Sequence, residues 1–153
     1  MAERLSEMLA GRTWFRVIVT GSRTWDDRDA IWEALDELLR EHRMVQVVHG
    51  SNGRGADAYA SEWVTRTLRS GHQGVVQEEL HPADWEQFGS RAGFIRNAEM
   101  VSTGAQLVLA FIDQCRKAGC PRGPAPHGSH GAEHCATLAE KAGIPARRIS
   151  ADG

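Results

Sequence analysis

The stretch Trp14-Phe15-Arg16-Val17-Ile18-Val19-Thr20-Gly21-Ser22-Arg23 decides the fold. It is a β-rich apolar run that halts at a glycine, a hydroxyl and an arginine. Glycine lets a backbone turn tightly and approach a ligand closely. Arginine supplies a planar, always-charged fork that fits phosphate. Glycine-rich endings of this kind recur at Gly50-Ser51-Asn52-Gly53-Arg54-Gly55-Ala56-Asp57, at Arg91-Ala92-Gly93-Phe94-Ile95-Arg96-Asn97 and at Gly128-Ser129-His130-Gly131-Ala132. Three of the four carry arginine.

Outward from that first strand, apolar runs alternate with helical patterns. A helix capped by Asp26 or Asp27 carries Ile31, Leu35, Leu38 and Leu39 on one face. A second strand spans Met44 to His49, and a helix from about Ala56 follows, with Ala60, Trp63, Val64 and Leu68 on its stripe. Gly74 to Leu80 reads as a third, less apolar strand nearer an edge. His81-Pro82 breaks it, and a helix from Arg91 to Thr103 follows a polar segment. Leu107-Val108-Leu109-Ala110-Phe111 is a buried strand. A last helix places Cys135, Leu138, Ala139 and Ala142 together and stops at Gly143 and Pro145. Arg147 to Ser150 reads as a short final strand. The pattern predicts an α/β, Rossmann-like, doubly wound and mostly parallel sheet of about five strands, with helices on both faces. Residues 1–13 read as a polar leader. Residues 14–150 read as one domain, with 112–127 as a loop insertion rich in Gly, Pro, Cys and basic residues.

A chain of 153 residues with formal net charge -2 has no global basic surface to hold nucleic acid. No apolar run approaches membrane-spanning length, and the first residues lack a signal-peptide pattern. Cys115, Cys120 and Cys135 are an odd number with no disulfide framework. The expected location is cytoplasmic.

In a doubly wound sheet, ligands bind outside the carboxyl ends of the strands, where strand order reverses. All four glycine-containing loops are expected there, which points to one pocket for a phosphorylated small molecule. Gly21, Ser22 and Arg23 occupy the usual phosphate position after the first strand. Gly50, Gly53, Arg54 and Gly55 shape a second turn whose N–H groups can cradle an anion. Asp57 either stabilises the start of its helix or accepts hydrogen bonds from a ribose. Arg91, Arg96 and Asn97 form the third group, and Gly128, Ser129 and Gly131 the fourth. A P-loop and a full G-x-G-x-x-G fingerprint are absent.

Gly21-Ser22-Arg23-Thr24-Trp25, Gly53-Arg54-Gly55-Ala56-Asp57, His81-Pro82-Ala83-Asp84-Trp85, Arg91-Ala92-Gly93 with Arg96-Asn97-x-x-Met100, and the later Gly-Ser-x-Gly-Ala turn together resemble the SLOG superfamily. Within it the chain most resembles the YspA/cpYpsA-related proteins of bacteria, phages and mobile elements. The resemblance implies a nucleotide or nucleotide-derived ligand and, through the distantly similar LOG phosphoribohydrolases, a homodimer and cleavage of the bond between base and ribose 5′-phosphate. On that enzyme reading Arg96 and Glu133 are the catalytic pair. The chain departs from the LOG pattern where His134 and Cys135 stand in place of glutamates. Glu133 lies one position early, about a quarter turn away on a helix.

Two further readings remain. No cofactor is expected, but Cys115, Cys120, His127 and His130 are zinc-type ligands that would make a zinc-stabilised interaction protein. His49 and His81 end strands near the expected pocket, where either can serve as an acid or base or simply be hydrogen-bonded. Trp25 and Trp85 can stack on a base, with core packing the alternative for one of them.

Overall fold

A computed structural model describes residues 13–71, 75–114, 120 and 130–150. The elements run β1 (Phe15–Gly21), α1 (Arg28–His42), β2 (Val45–His49), α2 (Ala56–Arg69), β3 (Val76–Leu80), the one-turn α3 (Trp85–Phe88), a 3-10 turn (Gly89–Arg91), α4 (Ala92–Ser102), β4 (Leu107–Ile112), α5 (His130–Lys141) and β5 (Ala146–Ser150). The strands form one sheet in the order β3-β2-β1-β4-β5. Every pairing is parallel, with Val17 opposite Val47 and Val19 opposite Leu109. The order reverses at β1, so β1 and β4 flank the switch point.

Successive strand residues point to opposite faces, and both faces are apolar. Val17, Val19, Val45, Val47, Leu109 and Phe111 pack beneath α1 and α2, with Ile31, Leu35, Ala60 and Trp63. Ile18, Val48 and Val108 pack beneath α4 and α5, with Met100, Val101, Cys135 and Ala139. The fold is therefore the doubly wound α/β sheet that the alternation predicts.

Details differ at helix ends. Asp27 is the cap of α1: its Oδ1 accepts from Ala30 N at 3.1 Å. On α2, Thr67 rather than Leu68 is buried, because it falls within the arc set by Ala56, Ala60 and Trp63 while Leu68 lies off it, 38% exposed. On α5 the same periodicity buries Ala132 and Ala136. Leu138 is only half-buried and Ala142, past the helix end, is exposed. The expected helix from Arg91 is a tighter turn up to Arg91 followed by α4. Gly74, the first residue of the expected third strand, and the leader up to residue 12 lie outside the described residues.

One glycine fixes how the first two glycine loops meet. Gly55 has φ +69, and a Cβ there would run into the carbonyl oxygen of Ser22 and sit 2.9 Å from Arg23 Cα. Gly104 also has a positive φ, +84, but nothing lies within 4 Å of its missing Cβ. Gly55→Ala is therefore expected to lower unfolding free energy by about 2–4 kcal/mol, and Gly104→Ala by about 1–2 kcal/mol, in urea titrations. Equal losses would contradict the close approach of the two loops.

Candidate functional site

A cavity of about 530 Å³ opens at the carboxyl ends of β1, β2 and β4. Its first wall is the exit of β1, where Thr20, Gly21, Ser22, Arg23 and Thr24 line it. Gly21 allows the sheet to close there, since a Cβ would lie 2.5 Å from Ala56 Cβ and 2.7 Å from Phe111 O. Ser22 N donates to Phe111 O at 3.0 Å, and Ser22 Oγ accepts from Asp113 N at 2.8 Å. Thr24 Oγ1 donates to Asp113 Oδ2 at 2.7 Å. Asp113, the residue after β4, thus ties the glycine loop of β1 to the neighbouring strand.

The second wall is the β2 loop, and much of its hydrogen-bonding capacity is turned inward. Ser51 N donates to His49 Nδ1 at 3.0 Å, Asn52 N to Asp57 Oδ2 at 3.2 Å and Arg54 N to Asn52 Oδ1 at 3.2 Å. Three N–H groups of the expected anion cradle are committed within the loop. Asp57 is buried, and that burial pushes its carboxyl above the usual range, opposed by the nearby His49, the Asn52 N–H and Arg96. Beside the two roles that the sequence leaves open, Asp57 braces the loop. His49, also buried, has its Nε2 3.6 Å from Glu78 Oε2.

The third wall is α4. Arg96 Nη1 donates to Gly50 O at 2.8 Å, and its Nε donates to Asn97 Oδ1 at 3.0 Å. Its guanidinium fills the space that a Cβ at Gly50 would take. No acceptor for Arg96 Nη2 occurs among the described residues. Asn97 is buried, and its Nδ2 donates to Gly131 O at 3.1 Å, reaching the start of α5. A polar network holds α4 in place from below. Arg16 Nη1 and Nη2 clasp Glu79 at 3.0 and 2.9 Å, Arg16 Nη2 donates to Thr103 Oγ1 at 2.9 Å, and Arg16 Nε donates to Gly104 O at 2.8 Å. His81 spans Glu79 at 2.8 Å and Glu99 at 3.3 Å. The Arg16 and His81 hydrogen bonds hold the Glu79 carboxyl down at about 2.

The fourth wall is the start of α5, where His130, Gly131 and Ala132 line the cavity. The first N–H groups of a helix have no partner within it and carry partial positive charge. Glu133 is not on this wall: its Oε2 accepts from Arg148 Nε on β5 at 3.1 Å. Burial lowers the basicity of His134, whose Nδ1 lies 3.3 Å from Asn97 Nδ2. Cys135 is fully buried, and that burial pushes its thiol up to about 11, as befits a core residue. Cys120 Sγ lies 3.2 Å from His130 Nε2, while Cys115 and His127 lie outside the described residues. Among the described residues, no group of three or more His, Cys, Asp or Glu side chains gathers in metal-binding geometry.

The structure thus brings Gly21, Ser22, Arg23, Gly50, Asp57, Arg96, Asn97 and Gly131 around one cavity. Gly53 lines an adjoining recess, and Gly55 lies behind the β1 loop. Arg54 and Arg91 are exposed and off the cavity wall. Gly128 and Ser129 lie outside the described residues. Asn52, Phe94 and Asp113 escape the sequence reading. Asn52 and Phe94 stand inside the quoted motifs, so the signal was present without a geometry to single them out. Of the two tryptophans, Trp25 is core, edge-on to Phe111, whereas Trp85 is 48% exposed and lines the cavity.

Fold and site together define a doubly wound α/β protein with an arginine-bearing cavity at its topological switch point. Residues 15–88 match the YspA, cpYpsA-related SLOG family. The Gene 61 protein of Mycobacterium phage D29 is 46% identical over 131 residues, covering 85% of this chain and 92% of the phage protein. The chain belongs to the YspA, cpYpsA-related SLOG family. Among the described residues, no helix is long and apolar enough to cross a membrane.

The network below α4 makes a pH-dependent prediction. Glu79 falls from an ordinary 4.5 to about 2 on folding, so its contribution is complete above 4.5 and lost as pH falls towards 2. The stability gap between the wild type and Glu79→Gln is expected to be full near neutral pH and to close through that acid window in urea titrations. A gap that widens on acidification would contradict the assignment.

Proposed function

We propose that this protein is a binding or sensing module for a nucleotide-derived, phosphorylated small molecule held at the carboxyl ends of the strands. The observation that carries this reading is Arg96. Its guanidinium is fixed at Nη1 and Nε, and Nη2 keeps its donors on a cavity wall beside the start of α5. A guanidinium pre-oriented in this way loses little freedom on meeting a phosphate, and the positive end of a helix dipole favours the same charge. The cavity volume of about 530 Å³ falls in the range of small-molecule sites. Arg23 reaches the same cavity from β1, and Asp57 retains acceptor capacity that suits a ribose hydroxyl.

Binding is favoured over N-glycosidic cleavage by the Arg96–Glu133 pair, because Glu133 is engaged with Arg148 away from the cavity; Asp57 is the carboxylate on the cavity wall, tied to the β2 loop by the bond from Asn52 N. A cleavage of this type needs a carboxylate near the ribose.

The test is thermal melting and calorimetry with ribose 5-phosphate and a panel of nucleoside 5′-monophosphates, with chromatography for released base. At least one phosphate ester is expected to raise the melting temperature without base release. Arg96→Gln is expected to weaken binding about ten- to a hundredfold, from losing a charge-assisted contact. Arg54→Ala, off the cavity wall, is expected to leave it unchanged. Full binding by Arg96→Gln would overturn the proposal. Base release abolished in Glu133→Gln would replace it with the hydrolase reading.

A further inference from the structure

We infer that Trp85 is the platform for a heteroaromatic base, so that the ligand class is a nucleotide rather than a sugar phosphate. The inference rests on the phosphate-pocket reading above and adds the group at the other end of the ligand.

Trp85 opens the one-turn helix α3, which Asp84 caps by accepting from Gln87 N at 3.1 Å. That short helix sets the indole at the cavity rim with almost half of its surface exposed. Indole is a large apolar surface that proteins ordinarily cover. Here one edge is seated and the rest stays open. A Cβ at Gly93 would lie 3.5 Å from Trp85 Cη2, so the α4 backbone comes close along that edge. The Arg23 guanidinium lies over the ring, 5.4 Å from its centroid. That cation–π contact steadies the indole, and the exposed part of the ring that Arg23 leaves uncovered is where a base can stack.

The indole also belongs to a second recess of about 360 Å³, which runs along the β2 loop. That recess shares Arg23, Gly50, Asn52, Trp85 and Arg96 with the main cavity, so the two lie against the same side chains. Arg96 and Trp85 line both spaces, so a molecule held in either one has a phosphate partner and an aromatic partner within the same wall. Asn52 adds edge recognition. Its Oδ1 is taken by Arg54 N, which leaves the two Nδ2 donors for acceptors on a base. Trp25 offers no competing platform, being buried with its Nε1 bonded to Asp27 O at 2.8 Å.

The experiment compares calorimetric affinities of wild type, Trp85→Leu and Trp85→Phe for ribose 5-phosphate and for the four common nucleoside 5′-monophosphates. At least one nucleotide is expected to bind the wild type about ten- to a hundredfold more tightly than ribose 5-phosphate. Trp85→Leu is expected to erase that preference and leave ribose 5-phosphate unaffected, and Trp85→Phe to keep most of it. Nucleotide is also expected to quench indole emission in the wild type and not in Trp85→Phe, a readout that stands even if the leucine variant folds poorly. Equal wild-type affinity for ribose 5-phosphate and every nucleotide would overturn the base platform and leave the phosphate pocket standing. Equal loss of both ligand types in Trp85→Leu, or loss of neither, would also overturn it. A wild type that binds none of the five compounds would overturn both readings.

Discussion

The contact between Arg96 and the carbonyl of Gly50, 2.8 Å long, is the constraint on which the site depends. It joins α4 to the exit of β2 across a gap that no side chain at position 50 would permit. Through Asn97 the same helix reaches the start of α5. One guanidinium and one amide thus link the walls supplied by β2, α4 and α5. The β1 wall is fastened independently by Ser22, Thr24 and Asp113 to β4. A cavity built this way holds its donors in place before any ligand arrives, so less ordering is required on binding.

Polar groups on the α4 side of the sheet serve the same end. Arg16 sits on a strand whose neighbours Val17, Ile18 and Val19 are buried apolar residues, yet it makes hydrogen bonds to Gln46, Glu79, Thr103 and Gly104. A charge placed beneath a helix is costly unless its donors are met. Here Gln46, Glu79, Thr103 and Gly104 meet them, and His81 continues the chain from Glu79 to Glu99 on α4. The helix that carries Arg96 is therefore positioned by both apolar packing and a directional network.

Much of this was legible in the sequence because the fold's main constraint is patterning. Val17-Ile18-Val19 and Leu107-Val108-Leu109 announce strands buried on both faces, and glycines mark where they end. The parallel order followed from alternation of strand and helix. Within the site, Gly21, Ser22, Arg96 and Asn97 were readable because their residue types have few other uses at a strand end or helix start. Arg54 and Arg91 looked the same in sequence and point elsewhere, since composition cannot tell which side of a turn faces a cavity. The inward bonding of the β2 loop was hidden for a related reason. Whether an N–H is free for a ligand depends on Asp57 and His49 folding back onto it, which is a tertiary fact.

The central claim is that this cavity holds a phosphate-bearing ligand through Arg96. Its most direct test is mass spectrometry of the small molecule released from freshly purified protein, set beside the same preparation of Arg96→Ala. The account predicts a phosphorylated species absorbing near the nucleobase band in the wild-type sample and a marked depletion of it in the variant. A released ligand without phosphate, or a phosphorylated one retained equally by both proteins, would contradict it.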